Sequence, residues 1–278
     1  MYFSDFSQGC GSDLALERHK ADTDLGGVEL RRERASVGVW ERIKISTEAA
    51  AASIERPMGH YHTLTLPEMH TLDLSATEDA KDEISRELCR LCEYSSILPD
   101  RVLVVGLGAK DLTPDSVGPL TAEEVSPTMH IRQMDEAAFL ALECSEIAVI
   151  SPDVSAKTGI DTAEIVKGIA RRILPDLVIA VDSLAARSPE RLGKTIQISD
   201  TGILPGSGLG RRSSAISLQT LGVPVFAIGV PTVISSERIF ASESADTLFV
   251  SPKDINPIVK SAAEIIGGGI NQAFGICY

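Results

Sequence analysis

Two aspartates follow apolar runs at places in the chain that suit catalytic groups. Val102–Val105 has no polar alternation, which is typical of a central parallel strand, and Asp115 lies in the polar loop beyond it. Leu177–Val181 is a second apolar run, and it leads directly into Asp182. In open α/β sheets, ligands and chemistry lie beyond the carboxyl ends of the strands. The sequence therefore predicts that Asp115 and Asp182 share one site.

Two carboxyl groups in one site suit peptide hydrolysis, which needs an activated water and a proton for the leaving amine. Because two close carboxylates cannot both ionise easily, one keeps its proton while the other can accept one. The same pair could instead hold a divalent metal ion, which would acidify a bound water. An aspartate at a strand end also commonly caps the next turn. The residues alone leave these three roles open.

Three further polar residues are candidates for supporting the pair. Asp200 and Thr201 follow a predicted strand at Ile196–Ile198, and Glu164 lies three residues after Asp161 at the start of a helical pattern. That spacing is also the spacing of a capping box, so capping is the alternative role of Glu164.

Two other patterns could bind ligands. His60 and His62 could ligate a metal from one face of a strand, but no third ligand is evident nearby, which favours a plain loop or edge-strand pair. The glycine-containing stretches 106–111 and 205–214 leave a nucleotide-binding module as an alternative. The first lacks the third glycine of the dinucleotide fingerprint, and the second lacks the GK[ST] ending of a phosphate loop.

The elements that position these residues alternate between strands and helices. Helical patterns cover Thr77–Ser95, with Thr77 as a cap, and Ile255–Ile266, before Gly267–Gly269. The alternation predicts an α/β fold, with a mostly parallel sheet and helices on both faces. Residues before about 75 are charge-rich and lack this alternation of strands and helices. We therefore predict an N-terminal region of short strands and loops (12–75) packed on an α/β catalytic core (76–278), as one structural domain overall.

Composition narrows the classes of function. The chain has 278 residues, of which 44% are hydrophobic, so it can bury a sizeable core. Its net charge of −13 and 4% aromatic content disfavour direct binding of nucleic acid. Five scattered cysteines fit a reducing compartment. Neither a signal peptide nor an apolar run of about 20 residues is evident, so we expect an intracellular protein without a membrane partner.

Several segments, taken together, resemble the germination protease of spore-forming bacteria. They occur in the order of that family, from near residue 12 to near residue 255. The segments are SDLALER (12–18), VVGLGAKDLTPDSVGP (104–119), TGIDTAEIVKGI (158–169), PDLVIAVDSLAARS (175–188), TIQISDTGILPGSGLG (195–210), LGVPVFAIGVPTV (221–233) and SPKDI (251–255).

The resemblance implies an endopeptidase that degrades small acid-soluble spore proteins during germination, in the cytoplasm of the forespore or spore core. It implies a fold similar to that of hydrogenase-maturation endopeptidases, a homotetramer and a zymogen that removes its own propeptide. Residues 1–11 would be that propeptide, with cleavage near Gly11 and Ser12. The two aspartates held to be essential in this atypical aspartic peptidase family match Asp115 and Asp182.

The chain departs from the family pattern at two positions. Ala109 stands where asparagine usually follows GLG, and Leu204 stands where histidine is often found. If that histidine served catalysis or metal binding, its loss favours a two-carboxylate mechanism or reduced activity. Related maturation enzymes bind metal at similar positions, so a divalent metal remains an open cofactor. The alternatives are therefore a metal-dependent maturation-type endopeptidase that acts on another protein, and an inactive homologue.

Overall fold

The strands of the chain form one sheet in a computed structural model that describes residues 13–18, 26–206, 214–236 and 248–275. The strands are β1 (Val28–Arg34), β2 (Val39–Ile45), β3 (Gly59–Thr65), β4 (Arg101–Gly106), β5 (Glu146–Ile150), β6 (Leu177–Ala186), β7 (Thr195–Ser199), β8 (Val225–Ser235) and β9 (Phe249–Val250). Their order across the sheet is β1-β2-β3-β7-β8-β6-β4-β5, and β9 pairs with β8.

Helices of very different lengths connect and cover these strands. They are α1 (Ala15–Arg18), α2 (Glu48–Ile54), α3 (Leu74–Tyr94), α4 (Val117–Glu124), α5 (Met129–Met134), α6 (Glu136–Leu140), α7 (Ser155–Thr158), α8 (Thr162–Ile173), α9 (Leu218–Leu221) and α10 (Ile255–Phe274). A single helical turn, Thr113–Asp115, precedes α4. Within the described ranges, no helix has both the length and the apolar character needed to cross a membrane.

The predicted α/β architecture is confirmed, and its parallel part is the group β5-β4-β6-β8. These strands pair in parallel. Residues Val102 to Val105 in β4 and Leu177 to Val181 in β6 are fully buried. Such runs lack polar alternation because helices cover both faces of a parallel sheet.

The sheet as a whole is mixed, because the strands on the other side of β8 run antiparallel. β7 was expected among the parallel strands, but it pairs antiparallel with both β8 and β3. β3, β2 and β1 then continue the same sheet as antiparallel neighbours of seven residues each. The N-terminal strands therefore extend the core sheet, and the division at residue 75 stays a prediction.

Two predicted helix ends are wrong for identifiable reasons. α3 begins at Leu74 because Asp73, not Thr77, caps it, with its side chain accepting a hydrogen bond from the backbone N–H of Ala76 at 2.8 Å. α10 runs through the three glycines to Phe274. These glycines allow close packing on α3, since a Cβ on Gly269 would lie 2.6 Å from Cβ of Ile84.

The two faces of the sheet carry separate apolar clusters. One face packs against α3, α4 and α10, and it includes Val181 and Ile198. The other face packs against α8 and includes Ala180. Because side chains alternate along a strand, Asp182 lies on the α8 face, whereas His62, which pairs with Ile198, lies on the α3 face.

Candidate active site

Asp182 is buried in the middle of the parallel strands. It is 5% exposed and lies on β6, opposite Gly229 of β8. Its Oδ1 accepts a hydrogen bond from the backbone N–H of Ser183 at 2.8 Å. The Ser183 hydroxyl oxygen is itself buried and without a hydrogen-bond partner among the described residues. The sequence analysis places Asp182 at the carboxyl end of this strand, but β6 continues to Ala186, so the carboxylate lies within the strand.

Asp115 closes a tight loop after β4. Its Oδ2 accepts a hydrogen bond from the backbone N–H of Ala109 at 2.9 Å, and its own N–H donates to the carbonyl of Leu112 at 2.7 Å. Gly108 has a φ of +108°, and a Cβ there would lie 2.1 Å from the Asp115 carbonyl oxygen. Only glycine fits this approach, so the Gly-x-Gly spacing after β4 serves the loop that holds Asp115.

A close contact between backbones brings the two aspartates together. The N–H of Leu107 donates to the carbonyl of Val181 at 2.8 Å, which ties the end of β4 to the residue before Asp182. Gly118, at the start of α4, packs onto the same point. A Cβ on Gly118 would lie 2.2 Å from the Leu107 carbonyl oxygen and 2.4 Å from that of Val181. The loop carrying Asp115 can therefore lie directly over β6.

A third strand also holds this loop. The register between β6 and β8 shifts after Leu184, so that Pro231 and Val233 pair with successive residues of β6 and Thr232 is left over. Bulges of this kind re-aim a side chain. The Thr232 hydroxyl donates to the carbonyl of Pro114 at 2.6 Å, one residue before Asp115. Sequence reasoning missed Thr232, because nothing in the sequence marks the bulge.

The electrostatics of the pair favour a shared proton. Burial raises the pKa of Asp182 well above its usual value, and the negative charge of Asp115 raises it further, with a smaller contribution from Asp13. No cationic side chain of the described residues forms an ion pair with Asp182. Asp182 therefore tends to keep its proton beside a second carboxyl group, which is the arrangement that the sequence analysis predicts.

An N-terminal segment lies against the strand that carries Asp182. The backbone N–H of Asp13 donates to the carbonyl of Ala185 at 3.0 Å, and the Asp13 side chain accepts from the N–H of Ala185 at 2.9 Å. The N–H of Ala15 donates to the Gln197 side chain at 2.8 Å. Glu17 accepts from two backbone N–H groups after β6, at 2.6 and 2.7 Å. The predicted cleavage near Gly11 and Ser12 lies outside the described residues.

The structure does not bring the three predicted supports to the pair. Asp200 bonds to His60, and the Thr201 hydroxyl lies 3.5 Å from that of Ser199. Because β7 is antiparallel, its carboxyl end points away from the edge where β4 ends. Glu164 forms an ion pair with Lys167 at 3.6 Å on the surface of α8.

The remaining candidate residues have local roles or fall outside the description. Asp161 caps α8 by accepting from the N–H of Ala163 at 2.9 Å, so the predicted cap is confirmed. Ala109 contributes its backbone N–H to Asp115, which any side chain at that position would allow. Leu204 is half-buried next to the bridge between Ile203 and Ile216. Residues 207–213 of the second glycine stretch lie outside the described ranges.

The described residues do not form the kind of ligand group that holds a resident metal ion. Across the described ranges, no three histidine, cysteine, aspartate or glutamate side chains are grouped as a metal ion requires. Asp115 and Asp182 could provide only two carboxylate ligands.

Comparison with known proteins identifies a single family. The family described as germination protease matches residues 11–249. The germination protease of Caldanaerobacter subterraneus is 35% identical, over 95% of this chain and 94% of that protein. That of Clostridium tetani is 31% identical, over 94% of each protein. That of Bacillus cereus is 37% identical, over 82% of this chain and 64% of that protein.

One solved structure also resembles part of the chain. It is the [NiFe] hydrogenase maturation protease HycI from Thermococcus kodakarensis, with a TM-score of 0.37 and 17% identity, covering 62% of this chain and 94% of that one. The fold assignment rests on the strand order given above. The match of residues 11–249 and the near full-length relatives establish the family. This chain belongs to the germination protease family of peptidases.

Proposed function

We propose that the protein is an endopeptidase that degrades small acid-soluble spore proteins during germination, and that Asp115 and Asp182 activate the water that cleaves the peptide bond. Family membership supports the peptidase activity. The observation that carries the mechanism is the tie between the β4 end, before the Asp115 loop, and β6 next to the buried Asp182. Burial and the charge of Asp115 also raise the pKa of Asp182 well above its usual value. Perturbed carboxyl groups of this kind concentrate at catalytic sites.

In the proposed mechanism the two carboxyl groups divide the work of acid and base. Asp115 accepts a proton from a water molecule as the water oxygen attacks the carbonyl carbon of the scissile bond. Asp182 donates its proton to the peptide nitrogen, so the carbon–nitrogen bond breaks and the amine leaves. The proton on Asp115 then returns to Asp182, directly or through a second water, and the pair is restored.

Zymogen processing, the homotetramer and the spore-core location complete the proposal, and they rest on the family resemblance. The anchored segment Asp13–Glu17 supports a cleavage site close to the aspartates, because Asp13 bonds to Ala185, three residues beyond Asp182. N-terminal sequencing of the matured protein should give Ser12 or a neighbouring residue. Sedimentation equilibrium should give four chains.

The proposal is tested by incubating the purified protein with a small acid-soluble spore protein and following cleavage by mass spectrometry. Asp115→Asn and Asp182→Asn should each lower the rate about 100-fold or more, because each removes an acid–base group. Asp111→Asn is the matched control, since Asp111 lies in the same loop but pairs with Lys157 at 2.8 Å on the surface. Full activity of either of the first two variants would remove that residue from the mechanism.

Two alternatives give different results in the same assay. A metal-dependent maturation-type endopeptidase would lose activity on exhaustive chelation and would regain it when a divalent metal is added. An inactive homologue, which the departure at Leu204 would explain, would show no cleavage in the wild-type protein either. In that case Leu204→His should restore cleavage.

A further inference from the structure

A cavity of about 340 Å³ opens beside β1, β2 and β3, at the C-terminal end of α3. It lies on the α3 face of the sheet, opposite to the face that carries Asp182. Its lining includes Arg31, Arg42, Lys44, His60, His62 and Tyr94. Neither the proposed peptidase mechanism nor the family assignment uses this cavity.

Two imidazole rings in the cavity are each held by a carboxylate. Nδ1 of His60 bonds to Asp200 at 2.7 Å, and Nδ1 of His62 bonds to Glu87. The ring centroids are 5.9 Å apart, and the Tyr94 ring lies 4.8 Å from that of His60. Nε2 of each histidine has no hydrogen-bond partner within the part of the chain that the structure describes. The predicted placement of these histidines in a loop or on an edge strand is wrong, because both lie on β3, which is between β2 and β7 in the sheet.

The carboxylates around the cavity already have partners. Glu87 binds Arg42 at 2.8 and 2.9 Å and Arg90 at 2.7 Å, in addition to His62. Asp200 also accepts from the backbone N–H of His60 at 2.7 Å. Glu29, which also lines the cavity, contacts Arg31 at 3.5 Å. The oxygens of Glu87 and Asp200 are therefore occupied, and beside the two histidines a ligand meets donors rather than free carboxylate oxygens.

Unused positive groups remain at the mouth of the cavity. The Lys44 side chain is exposed, and its ammonium group forms no hydrogen bond or ion pair with any described residue. Arg31 is 81% exposed and contacts only Glu29, at 3.5 Å. Among the described residues, no three histidine, cysteine or carboxylate side chains are grouped as a metal ion requires, and Lys44 and Arg31 would repel one, so the site suits an anion. We propose that this cavity binds an oxyanion, a carboxylate or a phosphate group, between Lys44, Arg31 and the two histidines.

The proposed oxyanion lies between Nε2 of the two histidines and the exposed cations Lys44 and Arg31. Four cations and four carboxylates surround the rings. These groups are Glu29, Arg31 and Glu33 from β1, Arg42 and Lys44 from β2, Glu87 and Arg90 from α3, and Asp200 after β7; Tyr94 also faces the cavity.

Isothermal titration with inorganic phosphate, citrate and a polyglutamate peptide tests the proposal. We expect saturable binding of at least one of these three probes to the wild-type protein. Lys44→Met should weaken binding about fivefold or more. Lys260→Met, which removes an exposed lysine of α10, is the matched control and should bind as the wild type does. Binding of the small anions alone would indicate a free ligand, and binding of polyglutamate alone an acidic protein segment.

Other results would overturn the proposal. One is the absence of saturable heat with any of the three probes, and another is equal affinity in Lys44→Met and Lys260→Met. Zinc binding that His60→Gln abolishes, without anion binding, would make this a metal site instead. The Lys44→Met variant should still cleave protein substrate at the wild-type rate, so failure of this proposal and failure of the peptidase proposal are separate results.

Discussion

Asp182 on β6 and Glu87 on α3 are both buried acids, yet their surroundings shift their pKa values in opposite directions. Asp182 has no cationic partner among the described residues, and burial with the nearby charge of Asp115 raises its pKa. Burial alone would also raise the pKa of Glu87, but hydrogen bonds from Arg42 and His62 lower it to about 2. The difference separates an acid that is available for proton transfer from one that stabilises the fold.

The two regions also differ in how they hold their elements together. Around Asp182, backbone atoms approach one another at Gly118 and Gly108, where a side chain would clash. Around Glu87, polar side chains connect α3 to β2 and β3, and Trp40 adds a 2.8 Å hydrogen bond from Nε1 to Glu83. Glycine contacts bring the Asp115 loop onto β6 beside Asp182, whereas cationic and polar side chains surround Glu87.

The sharpest test of this comparison exchanges each acid for its amide. Asp182→Asn should lower the cleavage rate about 100-fold or more, because the general acid is lost. It should leave the free energy of unfolding at pH 7 unchanged or raise it. Glu87→Gln should lower that free energy by about 3 kcal/mol or more, since three cationic or imidazole groups lose their buried counter-charge. Its folded fraction should retain activity.

Circular dichroism for stability and mass spectrometry for cleavage give both readouts on the same samples. If Asp182→Asn destabilises the protein as much as Glu87→Gln does, Asp182 has a structural role and the contrast between the two acids is lost. If Glu87→Gln lowers the cleavage rate of the folded protein as much as Asp182→Asn does, the two regions are coupled.

A second test concerns the glycine contacts. Gly118→Ala should lower stability by about 3 kcal/mol and activity more than tenfold, because the new Cβ would push α4 away from Leu107 and Val181. Gly168→Ala is the matched control. It lies on the exposed side of α8 with no atom within 4 Å of the added Cβ. That variant should be about 0.5–1 kcal/mol more stable, as alanine is in most helices.

The sequence predicts the parallel half of the molecule well, because fully buried strands leave continuous apolar runs. Val102–Val105 and Leu177–Val181 are such runs, and the aspartates after them interact, as expected. Gly108 and Gly118 can be noticed in the sequence, but their role depends on which backbones they contact. The importance of Asp13 could have been found from the SDLALER segment, which the structure anchors beside β6.

The antiparallel half is less predictable, because its strands are charged and its partners are remote in sequence. β1 is almost wholly exposed, so its pattern resembles a loop. Asp200 was expected near the aspartates because it follows a strand, but the direction of β7 places it beside His60, 140 residues earlier in the chain. Strand direction and the pairing of His62 with Glu87 are tertiary facts, which local pattern does not contain.

A third test follows the two acids across pH. The pKa of Glu87 falls from 4.5 to about 2 on folding, so its contribution to stability is present above about pH 4.5 and is lost as the pH falls toward 2. That contribution is about 3 kcal/mol by proton linkage. The pKa of Asp182 rises on folding from 3.8, so its contribution is present below that pH and is lost as the pH rises through the folded value. The two slopes have opposite signs.

Thermal unfolding between about pH 2 and pH 8 should resolve the two slopes. Glu87→Gln should remove the loss of stability that occurs as the pH falls. Asp182→Asn should remove the loss of stability that occurs as the pH rises. A wild-type curve whose acid limb is unchanged in Glu87→Gln would show that other carboxylates cause the acid unfolding.

The smallest expected effect comes from Thr232, which is fully buried and joins β8 to the Asp115 loop. Thr232→Val keeps the shape of the side chain but leaves the Pro114 carbonyl without its donor, which should cost about 1 kcal/mol of stability. The value of kcat should fall roughly tenfold with little change in KM, because the loop positions the carboxyl group rather than the substrate. Thr232→Ser retains the hydroxyl and should recover most of kcat. Equal loss in the serine and valine variants would mean that packing in the bulge, and not this hydrogen bond, holds Asp115 over Asp182.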